Sequence, residues 1–176
     1  MSFRSKTVRH LSIGLLITGA GLAWAHNGAM GIVKDRMDAM SSMAESVKTL
    51  KPMMRGRTTY NAETVQAAAQ SIARLGGVHL TEMFPEGSLT EASEAKPAIW
   101  QQWSQFETYA QELTLYADGL AASAANEVSL NDGVAAIEGS SQPMTVEQLA
   151  LMPPADVFGL LTKNCAGCHK TFRSKK

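Results

Sequence analysis

Apolar residues recur along this chain with a helical period in four separate stretches. Over 31–54, Val33, Met37, Met40, Ala44, Val47 and Met54 are spaced by three, four and seven and share one helical face. Lys34, Asp35, Asp38, Glu45 and Lys48 lie mostly off that face. The polar run 55–59 interrupts the pattern. A second helix starts at Asn61, whose side chain suits an N-cap, with a stripe of Val65, Ala68, Ile72 and Leu75 that Gly76-Gly77 should end. A polar connection over 81–96 carries Pro85 and Gly87. The third helix opens near Pro97, and its apolar positions are Ile99, Trp103, Phe106, Ala110, Leu113, Ala117, Leu120 and Ala124. That alternation of fours and threes is a bundle seam. A second connection over 126–154 has room for a short helix near 146–151, and the fourth long helix covers 155–172. No stretch alternates apolar and polar residues as a half-buried strand would. Four amphipathic helices in one modest domain predict an all-α, four-helix bundle.

Composition changes the picture mainly at the N-terminus. The chain has 176 residues, of which 45% are hydrophobic and 18% charged, enough for one compact core. Arg4, Lys6 and Arg9 precede an apolar run over 11–23, and Ala23-Trp24-Ala25 closes it with small residues at the two recognition positions. This is the pattern of an export signal, so 1–25 read as a signal peptide and 26–176 as the mature domain. The apolar run is short for a membrane span, which needs about 20 residues, so the mature chain is expected without a membrane anchor. The formal charge of the whole chain is zero. Removing 1–25 takes away three basic residues and no acidic one, leaving 13 Lys and Arg against 16 Asp and Glu. A net charge of −3 gives no support to nucleic-acid binding, which draws on a basic field.

The chemistry is concentrated in the fourth helix. The two cysteines stand as Cys165-Ala166-Gly167-Cys168-His169. C-x-x-C-H is the attachment motif of c-type haem: each thiol can form a thioether with a vinyl group, and the adjacent imidazole can ligate the iron. Two other chemistries use paired cysteines. A thioredoxin-like dithiol needs a βαβ context, which is missing here. A zinc site needs four ligands, and His26 and His79 are not at metal-ligand spacing from the motif. No hydrolytic triad, phosphate-cradling loop or carboxylate pair stands out.

The motif near the C-terminus, the basic tail Lys170-Thr171-Phe172-Arg173-Ser174-Lys175-Lys176, the R-x-x-x-M pattern of Arg36 and Met40, and the third-helix opening Pro97-Ala98-Ile99-Trp100 together resemble the class II c-type cytochromes. The resemblance is to the cytochrome c-prime group and, within it, the low-spin, Met-ligated branch. It covers nearly all of the mature chain. It implies one covalent haem held between the helices of a left-handed four-helix bundle, with thioethers to Cys165 and Cys168 and His169 as proximal ligand. Met40 matches the position facing the other side of the iron and is the expected sixth ligand, with Met37 on the same face as its rival. Met/His ligation leaves no open coordination position and suits electron transfer. The function so implied is that of a periplasmic electron carrier and not an enzyme. The alternatives are a five-coordinate cytochrome c-prime that binds nitric oxide or carbon monoxide, and a thiol–disulfide oxidoreductase.

Two arginines are candidate haem contacts. Arg36 can pair with a haem propionate or stay a solvated charge beside Asp35 and Asp38. Arg173 can cover the haem edge or favour the negative end of the fourth helix. Lys163, Lys170, Arg173, Lys175 and Lys176 form a candidate docking ring for an acidic redox partner. The resemblance also allows a homodimer through the first two helices.

Overall fold

The computed structural model describes residues 29–126 and 144–174. Its elements in chain order are α1 (Ile32–Met54), α2 (Ala62–Leu75), α3 (Gly77–Glu82), α4 (Ala98–Gln101), α5 (Trp103–Ser123), α6 (Val146–Ala150) and α7 (Pro154–Phe172). The four long helices α1, α2, α5 and α7 form the expected bundle. Among the described residues the only β-type pairing is an isolated bridge between Ala95 and Arg173. No described helix is long and apolar enough to cross a membrane. The proposed signal segment, His26, Lys175 and Lys176 lie outside the described residues.

Helix α5 is the centre of the molecule and packs on α2, α3, α6 and α7. Most of its predicted seam is observed: Phe106, Ala110, Leu113, Ala117, Leu120 and Ala124 are buried, and Trp103 is half-buried. The third helix is nevertheless not continuous from Pro97. The backbone breaks at Gln102 (φ −130°, ψ 45°), which separates the short α4 from α5 while keeping Ile99 buried. Helix α2 starts as predicted, with the Asn61 side chain accepting the Thr64 N–H at 2.6 Å. Helix α2 ends at Leu75 with Gly76 as its C-cap, as the sequence led us to expect. Gly77 takes φ 56°, which a residue with a Cβ rarely adopts, and the chain turns there into α3. Leu80, Met83 and Phe84 thereby enter the core.

Helix α1 departs from the predicted stripe. Its buried residues are Val33, Arg36, Ala39, Met43, Leu50 and Met54, so only Val33 and Met54 are shared with the expected face. Met37, Met40 and Val47 are half-buried and Ala44 is exposed. The core face of α1 is turned by about one residue, roughly 100° on a helix of 3.6 residues per turn. The apolar residues left on the other side border a cavity and a groove, described below. Thr145 caps α6 in a reciprocal capping box with Gln148, and Leu149 is buried from it. Helix α7 begins with Pro154 in its first turn and buries Val157, Phe158, Leu161, Asn164 and Phe172.

Candidate functional site

A cavity of about 350 Å³ opens between α1, α4, the start of α5, the end of α7 and part of the 83–95 connection. From α1 it receives Arg36, Met37, Met40, Ser41 and Ala44, and from α7 Cys168, His169 and Phe172. Phe84, Ile99 and Phe106 make its base apolar. Phe106 packs on Phe84 at 4.9 Å, Trp103 at 5.6 Å and Phe172 at 5.6 Å between ring centroids, so Phe106 is core and cavity wall at once, whereas Trp103 and Tyr109 do not line the cavity.

Cys165 and Cys168 are one turn apart on α7, half-buried and not joined in a disulfide. Burial pushes both thiols up, and Cys168, beside Cys165, reaches about 12. Such thiols are protonated at neutral pH. A dithiol oxidoreductase needs the reverse, a thiol whose pKa is lowered by cations or a helix N-terminus. The pair therefore suits covalent attachment better than redox exchange. His169 lines the cavity and keeps one side toward solvent. Partial burial and the Arg173 charge hold its pKa below the ordinary value, against a smaller opposing pull from Glu94. Its imidazole is thus neutral at pH 7, with a lone pair free for a metal. Free thiols, a neutral imidazole and an apolar cleft between the helices fit a haem. No cluster of three or more His, Cys, Asp or Glu among the described residues could hold a bare metal ion instead.

The helices around the motif are set by close contacts. Asn164 Nδ2 donates to the Tyr109 carbonyl at 2.9 Å, tying α7 to α5 one turn before the second cysteine. At Gly167 a Cβ would stand 3.0 Å from Tyr109 Oη and 3.1 Å from its ring, so the variable position of the motif is tightly filled. The end of α7 is held by the connection: Lys96 N–H donates to the Phe172 carbonyl at 2.8 Å and Ser174 N–H to the Glu94 carbonyl at 2.7 Å. Lys96 Nζ points at the carbonyl oxygens of Lys170 and Thr171, a favourable place for a cation.

The two arginines have structural tasks. Arg36 is not a solvated helix charge: it is 3% exposed. Its guanidinium donates to the Met83 carbonyl at 3.3 Å, to Ser88 Oγ at 3.2 Å and to the Ser88 carbonyl at 2.5 Å. It also lies over the Phe84 ring, 4.8 Å from the centroid. Its Nε remains without a partner. Arg173 is the C-cap of α7, in extended backbone, and pairs with Glu94 at 2.6 Å on the cavity rim. Glu94, Phe84 and Ser88 were not singled out from the sequence. They sit in a polar connection that carries no periodic signal. His79 is exposed on α3 and does not line the cavity. Lys163 and Lys170 are exposed on α7.

Comparison with known proteins identifies the family. The sequence profile of the cytochrome c' family matches residues 31–144, and the cysteine motif follows the matched region. A cytochrome c-554 from Cereibacter sphaeroides is 29% identical over 147 residues, covering 82% of this chain and 93% of that protein. A cytochrome c' from Rhodopseudomonas palustris is 24% identical over 164 residues, covering 93% of each. Among solved structures, the nitric oxide complex of a variant of cytochrome c prime from Alcaligenes xylosoxidans superposes with a TM-score of 0.60 at 22% identity, covering 82% of this chain and 94% of that one. The likeness to that structure is one of fold. The chain is a helical, c-type haem protein. It belongs to the cytochrome c' family, and its cofactor is covalently bound haem c.

Proposed function

We propose that the protein is an exported cytochrome with one haem joined to Cys165 and Cys168 and ligated by His169, whose other axial position takes a small diatomic ligand such as nitric oxide or carbon monoxide. The observation that carries this reading is the composition of the α1 wall of the cavity. Met37, Met40 and Ala44 face it, with no histidine or lysine among the α1 residues of the lining. Bound haem supplies an iron able to take such a ligand and to change charge by one electron. The chain's residues do the rest. His169 offers a neutral nitrogen, the aromatic base excludes water, and among the arginines of the lining the Nε of Arg36 has no partner while Arg173 would have to exchange Glu94 for a propionate. The name of the Rhodopseudomonas palustris relative and the nitric oxide complex of a variant of the Alcaligenes xylosoxidans protein support the open-position reading. On this reading 1–25 are removed on export and 26–176 work in the periplasm.

A second reading draws on the same wall of the cavity. Met40 lines the same cavity as His169, and Met37 does so one turn earlier. A thioether is a soft ligand that favours ferrous iron. Ligation by Met40 would close the axial position, raise the reduction potential and make the protein an electron carrier. Absorption spectra of the ferric protein at neutral pH, with and without nitric oxide, separate the two. High-spin bands that are unmoved by Met40→Ala, with immediate nitric oxide binding, support the open position. Low-spin bands that become high-spin in Met40→Ala but not in Met37→Ala establish the carrier instead.

A further inference from the structure

We propose that the cationic groove at the C-terminal end of α1, formed by Lys48, Lys51, Arg55 and Arg57, is the docking surface for an acidic redox protein that delivers electrons to the haem. The inference rests on the haem reading but on neither axial state, since iron must be ferrous to take carbon monoxide and must cycle to carry electrons.

The groove encloses about 350 Å³ and has Val47 and Pro52 as its floor. Its shape follows from how α1 ends. Gly56 takes φ 62°, and Arg57 N–H donates back to the Pro52 carbonyl at 2.9 Å. The chain therefore doubles over, and Arg55 and Arg57 are set on the lip beside Lys51. All four cationic residues are exposed. Among the described residues the side chains of Lys51, Arg55 and Arg57 form no hydrogen bond or ion pair. Lys48 pairs only with Glu45, at 3.3 Å, with the two side chains 77% and 71% exposed, a contact too solvated to neutralise it.

Two observations say what fits there. Ala44 lines both the groove and the haem cavity, so a partner seated on the groove touches the α1 wall of the cavity. The cations are also spread: Lys48 and Arg55 are seven residues apart, about 10 Å along a helix. One small anion cannot reach them all, whereas a protein face carrying several carboxylates can. At the end of α7, Arg173 is matched by Glu94 and the neighbouring Lys96 is turned to the α7 carbonyls, while Lys163 and Lys170 are exposed. The docking ring expected there from the sequence also includes Lys175 and Lys176, which lie outside the described residues, and it is the rival site that the α7 control tests.

The test is stopped-flow reduction of the ferric holoprotein by reduced flavodoxin, used as a small acidic one-electron carrier. Wild type is compared with K51Q/R55Q/R57Q and with the α7 control K163Q/K170Q. Steering by complementary charge changes association rates by roughly tenfold or more and fades with salt. The groove variant should lose about tenfold in rate at low ionic strength, together with most of the salt dependence. The α7 control should stay within about twofold. A groove variant that keeps the wild-type rate overturns the proposal, as does an equal loss in the α7 control. A second copy of this chain seated on the groove would also leave flavodoxin indifferent to these charges, and would overturn it. Dithionite reduction of each variant, followed at the haem bands, tells a failed docking site from a failed haem reading.

Discussion

Arg36→Leu tests the unusual choice of a buried cation on the core face of α1. The substitution removes donors to the Met83 carbonyl, the Ser88 hydroxyl and the Ser88 carbonyl, and the stacking on Phe84. Hydrogen bonds from a charged donor contribute roughly 1.5–3 kcal/mol each and the ring contact about 1 kcal/mol, but these do not add fully. Against them stands the desolvation of a guanidinium that has no carboxylate partner among the described residues. Burial already holds its pKa below the ordinary value. The net loss is about 2–4 kcal/mol, because the buried Met83 carbonyl and the half-buried Ser88 carbonyl are left without their donor. For a chain of this size that lowers Tm by about 5–15 °C. Circular dichroism melts of the holoprotein measure it, and hydrogen exchange over 83–88 locates it. Arg36→Lys keeps the charge but not the planar fork, so it should recover less than half of the loss. Melting temperatures within about 2 °C of wild type for both variants, with unchanged exchange over 83–88, would refute the claim that this side chain ties the connection to α1.

Other substitutions probe the packing around the motif. Gly167→Ala forces a methyl against Tyr109 and should cost about 1–2 kcal/mol in a urea melt, a loss largely relieved when Tyr109 is also replaced by leucine. Gly119→Ala sets a Cβ 2.5 Å from the Leu149 side chain. It should separate α6 from α5 and lower stability by about 1–3 kcal/mol in the same assay. Glu112 has its pKa raised by burial, so its folded-state pKa exceeds the unfolded one. Stability from the neutral carboxyl is present below the unfolded value and lost as pH rises through the folded one. Glu112→Gln should therefore raise Tm at pH 7 and leave it nearly unchanged at pH 4, and an equal gain at both would show that ionisation is not the cause.

Much of this architecture could be read from the order of residues. The seam of α5 was legible because every one of its positions meets another helix. The face of α1 was not, because hydropathy cannot tell a side chain packed on a helix from one that lines a cofactor cavity. Met37 and Met40, read both as part of an apolar stripe and as candidate iron ligands, line the cavity, while Arg36, read as a propionate contact or a solvated charge, is buried in the core. The cysteine motif announced its chemistry because attachment and ligation fall within five residues. Glu94, Ser88 and Phe84 announced nothing, since their roles depend on a connection folding back over α1 and α7. The break at Gln102 was equally silent: Ile99 and Phe106 keep the same apolar spacing whether or not the helix is continuous.

The most direct measurement is of the exported protein, produced in a host that assembles c-type cytochromes and denatured in acidified acetone before its mass and absorption are recorded. The account predicts a polypeptide beginning at His26 that retains one haem, and loss of that retained haem when Cys165 and Cys168 are both replaced by alanine. Colourless polypeptide with two titratable thiols, and all of the pigment extracted into the solvent, would contradict it.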